Sequence, residues 1–442
     1  MKIVQAAGWY YPDSLGGTEV YVEALADHMR ASGHEVLIAA PQAGISVPRT
    51  YEHKGCPVFR YPIPLAPSRA EAQGDVPVRG VEHFHRWLAD VRADAVHMHT
   101  FVTGLGLAEI VAARDAGSRV VVTTHASSLG YICQRGTLMW RGEALCDGLV
   151  DASRCAACAL QHRGAGPLTA GALARIPAAL GHAAAVLPGR VGTALGMTDL
   201  ITRNMRRQRA MLDAVDAFVV LTEHAAQIVR ANGAPSGKVV VNRLGVRETP
   251  MTPARPSVPA SRDAITVGYV GRFEDVKGVL DLAEAMRRLP ASVRLRLEFR
   301  GPAQTHADRE TKAAVAATLA FDPRVTVGDG VAPSDVSALL RSYDVVCCPS
   351  RCLEGGPTVG LEAMAAGVPV IAAAVGGVAE VVDDGVNARL VQPGDVDGLA
   401  AALTEVASDP AATIDRWKRR LPVPRAMRDV ARDYMTLYAA RH

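Results

Sequence analysis

Aromatic residues and long apolar runs are both scarce in this sequence of 442 residues. Aromatic side chains make up 5% of the chain, too few for the stacking surfaces that bind single-stranded nucleic acid. Excess positive charge is also missing, because 48 Lys and Arg stand against 45 Asp and Glu. A dedicated nucleic-acid binder usually concentrates basic residues, so these shortages argue against nucleic acid as a partner.

No segment has the length and apolar character of a membrane-spanning helix. The longest run without a charged residue, positions 363–379, has 17 residues and is broken by Gly367, Pro369, Gly376 and Gly377. A spanning helix needs roughly 20 residues. The first residues also lack the pattern of a secretion signal. We therefore expect a cytoplasmic protein, with peripheral contact to a membrane surface as an open alternative.

Length and composition indicate a folded protein with more than one domain. Hydrophobic residues make up 49% and charged residues 21% of the chain, which excludes a fully disordered protein. At about 150 residues per domain, the length predicts two or three domains. In the cytoplasm, the eight cysteines are expected as thiols or metal ligands rather than as disulfides.

Two stretches show the alternation of strand and helix that builds a parallel sheet. Near the N-terminus, residues 2–7 and 36–39 are predicted strands around a helix at 18–32. A second such unit begins with a strand at 265–270 and a helix at 279–288. Units of this kind form doubly wound sheets. We predict an α/β fold of two Rossmann-like domains that face each other across a cleft.

The domain borders follow from a proline-rich stretch and from a break in the strand–helix rhythm. Residues 249–261 include four prolines, which neither continue a helix nor lie in a central strand. We predict five segments: a first domain at 1–248, an insertion in it at about 131–199, a linker at 249–263, a second domain at 264–425, and a C-terminal helical segment at 426–442 that packs back toward the first domain.

The most specific motif places two glutamates around a loop and a helix start. Glu354 and Glu362 lie soon after a predicted strand, and between them are Gly355, Gly356, Pro357 and Thr358. A helix N-terminus offers free N–H groups and a positive dipole end to a diphosphate. One turn inside the helix, Glu362 is placed to accept bonds from ribose hydroxyls, and Glu354 is placed to touch a sugar. The alternative is two surface carboxylates at a helix cap.

A second motif places two cations on one loop. Arg272 and Lys277 follow directly after the first strand of the second domain, and ligands of open α/β sheets bind at the carboxyl ends of strands. A guanidinium can fork across two phosphate oxygens, and an ammonium adds a point charge. We predict that both stabilise a departing nucleoside diphosphate, against the alternative of two solvated cations.

Together these motifs resemble a family-4 retaining glycosyltransferase of the GT-B fold. The matching pieces span nearly the whole chain: Gly16-Gly17, the turn at 33–36, His97 and His99, His125, the loop with Arg272 and Lys277, and the Glu354–Glu362 element. The resemblance implies a transferase that moves a hexose-type sugar from a nucleotide-diphosphate donor to a hydroxyl acceptor with retention. It also implies that the second domain holds the donor and the first most of the acceptor site.

The resemblance also assigns residue roles. Arg272 and Lys277 would contact the diphosphate, Glu362 the ribose and Glu354 the donor sugar. Gly355, Gly356, Pro357 and Thr358 would complete the donor site, and Gly16 and Gly17 would approach the phosphates or the acceptor. His125 would lie near the reacting carbon. The predicted catalytic residues are then His125, Arg272, Lys277 and Glu354.

The chemistry of these residues favours catalysis without a metal or other cofactor. Glycosyl transfer passes through an oxocarbenium-like transition state, and fixed positive charge on the departing diphosphate stabilises it directly. The first domain offers no obvious carboxylate nucleophile, so we expect a same-face mechanism in which the leaving phosphate helps to deprotonate the acceptor. The acceptor itself, whether lipid, glycan or small natural product, is not encoded in a readable motif.

Two other functions stay open. A phosphorylase or a sugar epimerase would use the same fold but needs a phosphate acceptor site or base residues that are not evident. A non-catalytic nucleotide-sugar-binding protein would keep Arg272, Lys277 and Glu362, but would not need His125. For His125 alone, and for His97 and His99, structural packing at strand ends is the competing interpretation.

A cluster of cysteines in the insertion predicts a structural metal. Cys155 and Cys158 form a CxxC pair, with Cys133 and Cys146 upstream. Four thiols at such spacing are typical of a closed tetrahedral zinc site, and an iron–sulfur cluster could use the same ligands. The alternative is ordinary small buried residues, which is the interpretation we favour for the cysteines at 347, 348 and 352.

Overall fold

The computed structural model of the chain describes residues 1–14, 16–125, 128–247, 264–355 and 358–440. The chain forms two compact units. The first comprises residues 1–142, 146–243 and 427–442, and the second comprises residues 143–145 and 244–426. The linker predicted at 249–263 lies outside the described residues.

A sheet of eight strands is the centre of the first unit. Ten strands occur between residues 2 and 241: β1 (Lys2–Ala6), β2 (Glu35–Ala43), β3 (Arg49–His53), β4 (Cys56–Ile63), β5 (Ala95–Met98), β6 (Arg119–Thr123), β7 (Met139–Trp140), β8 (Ala144–Leu145), β9 (Ala217–Val220) and β10 (Val239–Val241). The sheet has the order β10-β9-β6-β5-β1-β2-β4-β3. All neighbours in it pair in parallel except β3, which is antiparallel to β4 at the edge.

This order explains where ligands can bind in the first unit. From β1 the chain builds β2 and β4 on one side, then returns to build β5, β6, β9 and β10 on the other. The strand order therefore reverses between β1 and β5, and a crevice forms at the carboxyl ends of strands at such a switch point. Trp9 follows β1, His99 follows β5, and His125 follows β6, the next strand of the sheet.

Helices of the first unit lie in the connections between its strands. Before the insertion they are α1 (Gly17–Ala31), α2 (Arg69–Ala72), α3 (Glu82–Val91) and α4 (Leu107–Asp115). The buried face of α1 carries Val22, Leu25 and Met29, spaced as one stripe of a helix. Gly33 follows its end with a φ of 84°, a conformation that glycine adopts at low cost.

The predicted insertion is largely helical. It contains α5 (Ala152–His162), α6 (Pro167–Leu173), α7 (Ala178–Ala184) and α8 (Gly189–Leu195). Its last residues begin α9 (Met197–Ala214), and α10 (Glu223–Ala231) comes after β9. A small core of its own joins Ala156 and Leu160 of α5 to Leu200 and Ile201 of α9.

The second unit is a six-stranded, fully parallel sheet. Its strands are β11 (Ile265–Val270), β12 (Leu295–Arg300), β13 (Val325–Gly328), β14 (Val345–Cys348), β15 (Val370–Ala373) and β16 (Arg389–Val391), in the order β13-β12-β11-β14-β15-β16. The order reverses between β11 and β14, so the loops that leave these two strands meet at a switch point. Both loops carry predicted site residues.

Helices after β11 complete the chain. They are α11 (Val279–Arg288), α12 (His306–Thr318), α13 (Val336–Ser342), α14 (Thr358–Ala365), α15 (Val396–Ser408), α16 (Arg416–Lys418) and α17 (Met427–Ala439). The last of them, α17, belongs to the first unit, where Tyr434 and Tyr438 are buried. Within the residues that the structure describes, none of the helices combines the length and apolar character needed to cross a bilayer.

Candidate active site

The loops after β11 and β14 bring one predicted cation to one predicted carboxylate. Lys277 Nζ lies 2.5 Å from Glu354 Oε2, and the Ser350 hydroxyl donates to the other oxygen of the same carboxylate. Burial by itself would lower the pKa of Lys277, but the charge and hydrogen bond of Glu354 outweigh it and raise this pKa. The ammonium is therefore charged at neutral pH.

Two glycines allow this close approach of loops. Gly278 has a φ of 69°, and a Cβ on it would lie 1.9 Å from the carbonyl oxygen of Pro349. Gly376, in the loop after β15, has a φ of 83°, and its Cβ would lie 2.4 Å from the carbonyl oxygen of Glu354. Any larger residue would force the loops apart. The role of Gly376 was not predicted from the sequence, and neither was that of Ser350.

Arg272 is on the same loop but turns to a different partner. Its guanidinium lies 2.8 Å from Glu274 and is about half exposed, at 49% of the side chain. The Tyr269 hydroxyl donates to the Arg272 carbonyl at 2.6 Å, which fixes the backbone at this residue. The structure therefore brings Lys277 and Glu354 together, and keeps Arg272 on the loop without contact to either.

Glu362 is a mostly buried carboxylate that makes no hydrogen bond or ion pair with a described residue. It lies in the second turn of α14, and burial alone raises its pKa. A buried charge without a partner is costly, so such a group normally has a reason to be retained. Hydroxyl donors of a bound ligand would supply the missing partners.

The remaining residues predicted for a donor site lie around the start of α14. Thr358 is the first residue of this helix, and Gly355 ends the described part of the preceding loop. The predicted Gly356 and Pro357 lie outside the described residues.

The predicted glycine pair of the first unit lies at the start of α1. Gly16 precedes the helix and Gly17 begins it. A Cβ on Gly17 would meet no atom within 4 Å, whereas one on Gly16 would lie 2.8 Å from the carboxylate of Glu19. The backbone at Gly17 is therefore open to a ligand.

His125 is one end of a buried chain of hydrogen bonds. It follows β6, and its Nε2 lies 3.2 Å from His99 Nδ1, at the end of β5. His99 Nε2 lies 2.6 Å from Gln5 Oε1 on β1, and Gln5 Nε2 donates to the Tyr438 hydroxyl at 3.3 Å. His97 in turn contacts Tyr438 at 2.6 Å.

This chain fixes the proton positions on His99 and His125. The amide oxygen of Gln5 only accepts, so His99 Nε2 must carry a proton. Burial lowers the pKa of His99 well below its ordinary value, so the ring is neutral and its Nδ1 accepts. His125 Nε2 must then donate, and its Nδ1 keeps a free lone pair. Burial also lowers the pKa of His125, to about 4.

The structure does not support the predicted metal site. All four cysteines of the insertion line one small cavity, but among the described residues no three His, Cys, Asp or Glu side chains are placed to hold one ion. Cys158 Sγ instead accepts from the Arg141 N–H at 3.3 Å, and Cys146 lies against Asp147. The four thiols thus lie around one cavity, but their sulfur atoms are not arranged around a single point, as zinc or an iron–sulfur cluster requires.

The three cysteines in the second unit are buried, as predicted. Cys347, Cys348 and Cys352 are exposed by 1%, 5% and 7%, which confirms that they are core thiols. The first two belong to β14.

Comparisons with known proteins agree with this architecture. Residues 252–421 match the family Glycosyl transferases group 1, and residues 16–160 match the Glycosyl transferase 4-like domain. The D-inositol 3-phosphate glycosyltransferase of Kribbella flavida is 33% identical over 216 residues, which are 46% of this chain and 51% of that protein. The enzyme of the same name from Mycolicibacterium gilvum is 32% identical over 211 residues, 46% and 47% of the two chains. The chain thus spans about half the length of the curated relatives it matches.

Solved structures match over the whole length. Sucrose-phosphate synthase of Thermosynechococcus elongatus has a TM-score of 0.67 at 19% identity and covers 99% of this chain and 98% of its own. Anabaena HepE, solved with UDP-glucose, has a TM-score of 0.61 at 15% identity and full coverage of both chains. Similarity at this level of identity establishes the fold.

The two parallel-sheet units and the structural matches therefore define an α/β protein of GT-B architecture. The second unit contains the match to the group 1 glycosyltransferases, and the first unit contains the match to the 4-like domain. This confirms the resemblance predicted from the motifs.

Proposed function

We propose that the protein is a retaining glycosyltransferase that moves a hexose-type sugar from a nucleoside-diphosphate donor to an acceptor hydroxyl. One observation carries this proposal: Glu354 holds the charged Lys277 at the switch point of the second sheet. The same unit contains the start of α14 and the carboxylate of Glu362, which has no hydrogen-bond partner among the described residues. The structural neighbour solved with UDP-glucose supports the class of donor.

In this proposal the second unit acts on the leaving group. As the bond between the anomeric carbon and the diphosphate oxygen breaks, charge develops on the diphosphate. The ammonium of Lys277 and the N–H groups at the start of α14 would stabilise that charge, and Arg272 would turn from Glu274 to fork across the phosphates. These cations would neutralise the charge of the leaving diphosphate, which a bound divalent metal does in other transferases.

The acceptor hydroxyl would attack from the face that the diphosphate leaves. A bond forms between the acceptor oxygen and the anomeric carbon, and the proton passes to the departing phosphate. His125 would then accept a hydrogen bond from a sugar hydroxyl at its free Nδ1, because its neutral ring carries the proton on Nε2.

The experiment that tests this function is release of nucleoside diphosphate by the purified chain. UDP-glucose, ADP-glucose and GDP-glucose are incubated with the protein in the presence of EDTA. We expect slow hydrolysis of one of them with net retention at the anomeric carbon, followed by NMR. Tight binding without turnover would instead identify a nucleotide-sugar-binding protein, and loss of activity in EDTA would contradict the metal-independent mechanism.

Replacing Glu362 by glutamine is expected to raise the donor KM by about tenfold, or about 1.4 kcal/mol. A neutral amide accepts weaker hydrogen bonds from ribose hydroxyls than a carboxylate does. The same change removes a buried unpaired charge, so the melting temperature should rise. Donor kinetics and thermal unfolding of the variant measure both effects, and an unchanged KM would exclude Glu362 from the donor site.

The sign of the pH dependence follows from the raised pKa of Glu362. Below the unfolded-state pKa the carboxyl is protonated in both states and costs nothing. As pH rises to the folded-state pKa, the free energy of unfolding falls. The gain in stability of Glu362→Gln over the natural chain should therefore be present above this window and vanish below it.

A further inference from the structure

The first unit has a cavity of about 520 Å³ whose role is not yet assigned. It opens at the carboxyl ends of β1 and β2, and its lining includes Trp9, Asp13, Gln42, Arg60 and Val102. A cavity of this size is typical of a site for a small molecule. Its place beside the switch point of the sheet is where an open α/β sheet binds ligands.

Trp9 gives the cavity an aromatic wall. Its side chain is 57% exposed, and it is the most exposed of the four tryptophans of the chain. An exposed indole is unusual in a protein with so few aromatic residues, because burying it would stabilise the fold. A flat apolar ring of this kind packs well against the C–H face of a sugar or cyclitol ring.

Asp13 gives the cavity a hydrogen-bond acceptor that is already held in place. Three groups converge on its Oδ2: Arg60 at 2.5 Å, Gln42 at 3.1 Å and Arg49 at 3.6 Å. Its Oδ1 has no partner among the described residues, and 45% of the side chain is exposed. Guanidinium groups thus hold one oxygen and present the other to a hydroxyl donor.

We propose that this cavity is the acceptor subsite, and that it takes an uncharged, hydroxyl-rich ring stacked on Trp9 and hydrogen-bonded to Asp13. The proposal rests on the proposed transferase function and names its acceptor class. A phosphorylated ring would fit poorly, because Arg60 and Arg49 are both engaged by the Asp13 carboxylate and would have to leave it to bind a phosphate.

The position of the cavity relative to His125 suits transfer to such a ring. β1 and β6 both pair with β5, and neighbouring strands are about 4.8 Å apart. The end of β1, which leads to Trp9, is therefore about 10 Å from the end of β6, which leads to His125. One six-membered ring with its hydroxyls bridges that distance.

The test compares neutral and phosphorylated acceptors on the full chain. The fastest donor among the three nucleotide sugars is offered with myo-inositol, methyl α-glucoside or methyl α-mannoside, and with inositol 1-phosphate, glucose 6-phosphate or mannose 6-phosphate. We expect at least one neutral ring to accelerate release of nucleoside diphosphate. Trp9→Ala should raise the KM for that ring by about tenfold, and Trp9→Phe should retain most of the affinity.

Controls separate this proposal from the transferase function. Phe321→Ala, which removes an aromatic ring that is 99% exposed in the second unit, should alter no constant. Because Asp13 holds the buried Arg60, Asp13→Asn can fail to fold, and the Trp9 variants carry the test. Faster transfer to a phosphorylated ring, no transfer to any neutral ring, or an unchanged KM in Trp9→Ala would overturn the acceptor class. Absence of donor hydrolysis would instead remove the proposed function.

Discussion

Replacing Lys277 by alanine is expected to lower kcat by about 100-fold or more, with a smaller change in the donor KM. The ammonium is fixed by Glu354 before any ligand arrives, so it is ready to meet charge that develops only as the diphosphate departs. An interaction that strengthens in the transition state appears in kcat. Initial rates of nucleoside diphosphate release, measured over a range of donor concentrations, give both constants.

A matched control exists in the other unit. Lys54 Nζ lies 2.9 Å from Glu23, whose side chain is buried, so Lys54→Ala also deprives a buried glutamate of its lysine. It should retain the natural kcat. Equal losses in the two variants would indicate general destabilisation, and a natural rate in Lys277→Ala would remove this residue from the active site.

Replacing His99 by phenylalanine is expected to lower kcat by about 100-fold, the low end of what a positioned proton-transfer group contributes. Phenylalanine keeps the ring but has no nitrogen to accept from His125 Nε2, so the tautomer of His125 is no longer fixed. Asparagine at position 99 places an oxygen near the former Nδ1. We expect His99→Asn to recover most of the activity, although it loses the bond to Gln5.

A spectroscopic signal distinguishes orientation of His125 from simple damage to the core. Nitrogen chemical shifts of the His125 ring report which nitrogen carries the proton. They should show the Nε2–H form in the natural chain and in His99→Asn, and a mixture in His99→Phe. Equal losses in both variants, with no change in the His125 shifts, would show that His99 only packs the core.

Local sequence predicted that Lys277 and Glu354 lie close together, because they follow neighbouring strands of one sheet. Lys277 and Glu354 are 77 residues apart, yet the rule that ligands bind at a switch point places both at one edge of a sheet. The side-chain partner of Arg272 was not predictable, since it depends on the rotamer that the loop permits. The role of Gly376 was not predicted, because its positive φ and its close approach to Glu354 depend on the folded conformation of the loop.

The first unit shows the limits of local patterns more clearly. His97 and Tyr438 are 341 residues apart, and no periodicity in either segment indicates their contact. The spacing of the cysteines predicted a metal site, and the four thiols do lie around one cavity. Coordination also needs four sulfur atoms that point to one position, which spacing does not encode. The predicted helix near the C-terminus did appear, as α17.

Because α17 supplies Tyr438 to the histidine network, the first unit is complete only after the second unit has been synthesised. The 183 residues from 244 to 426 are synthesised in between, which takes roughly 10–40 s at bacterial rates of translation. During that interval Gln5 and His97 lack their hydrogen-bond partner Tyr438. Fragments that stop after β10 should therefore leave this buried network incomplete and be less stable than the full chain.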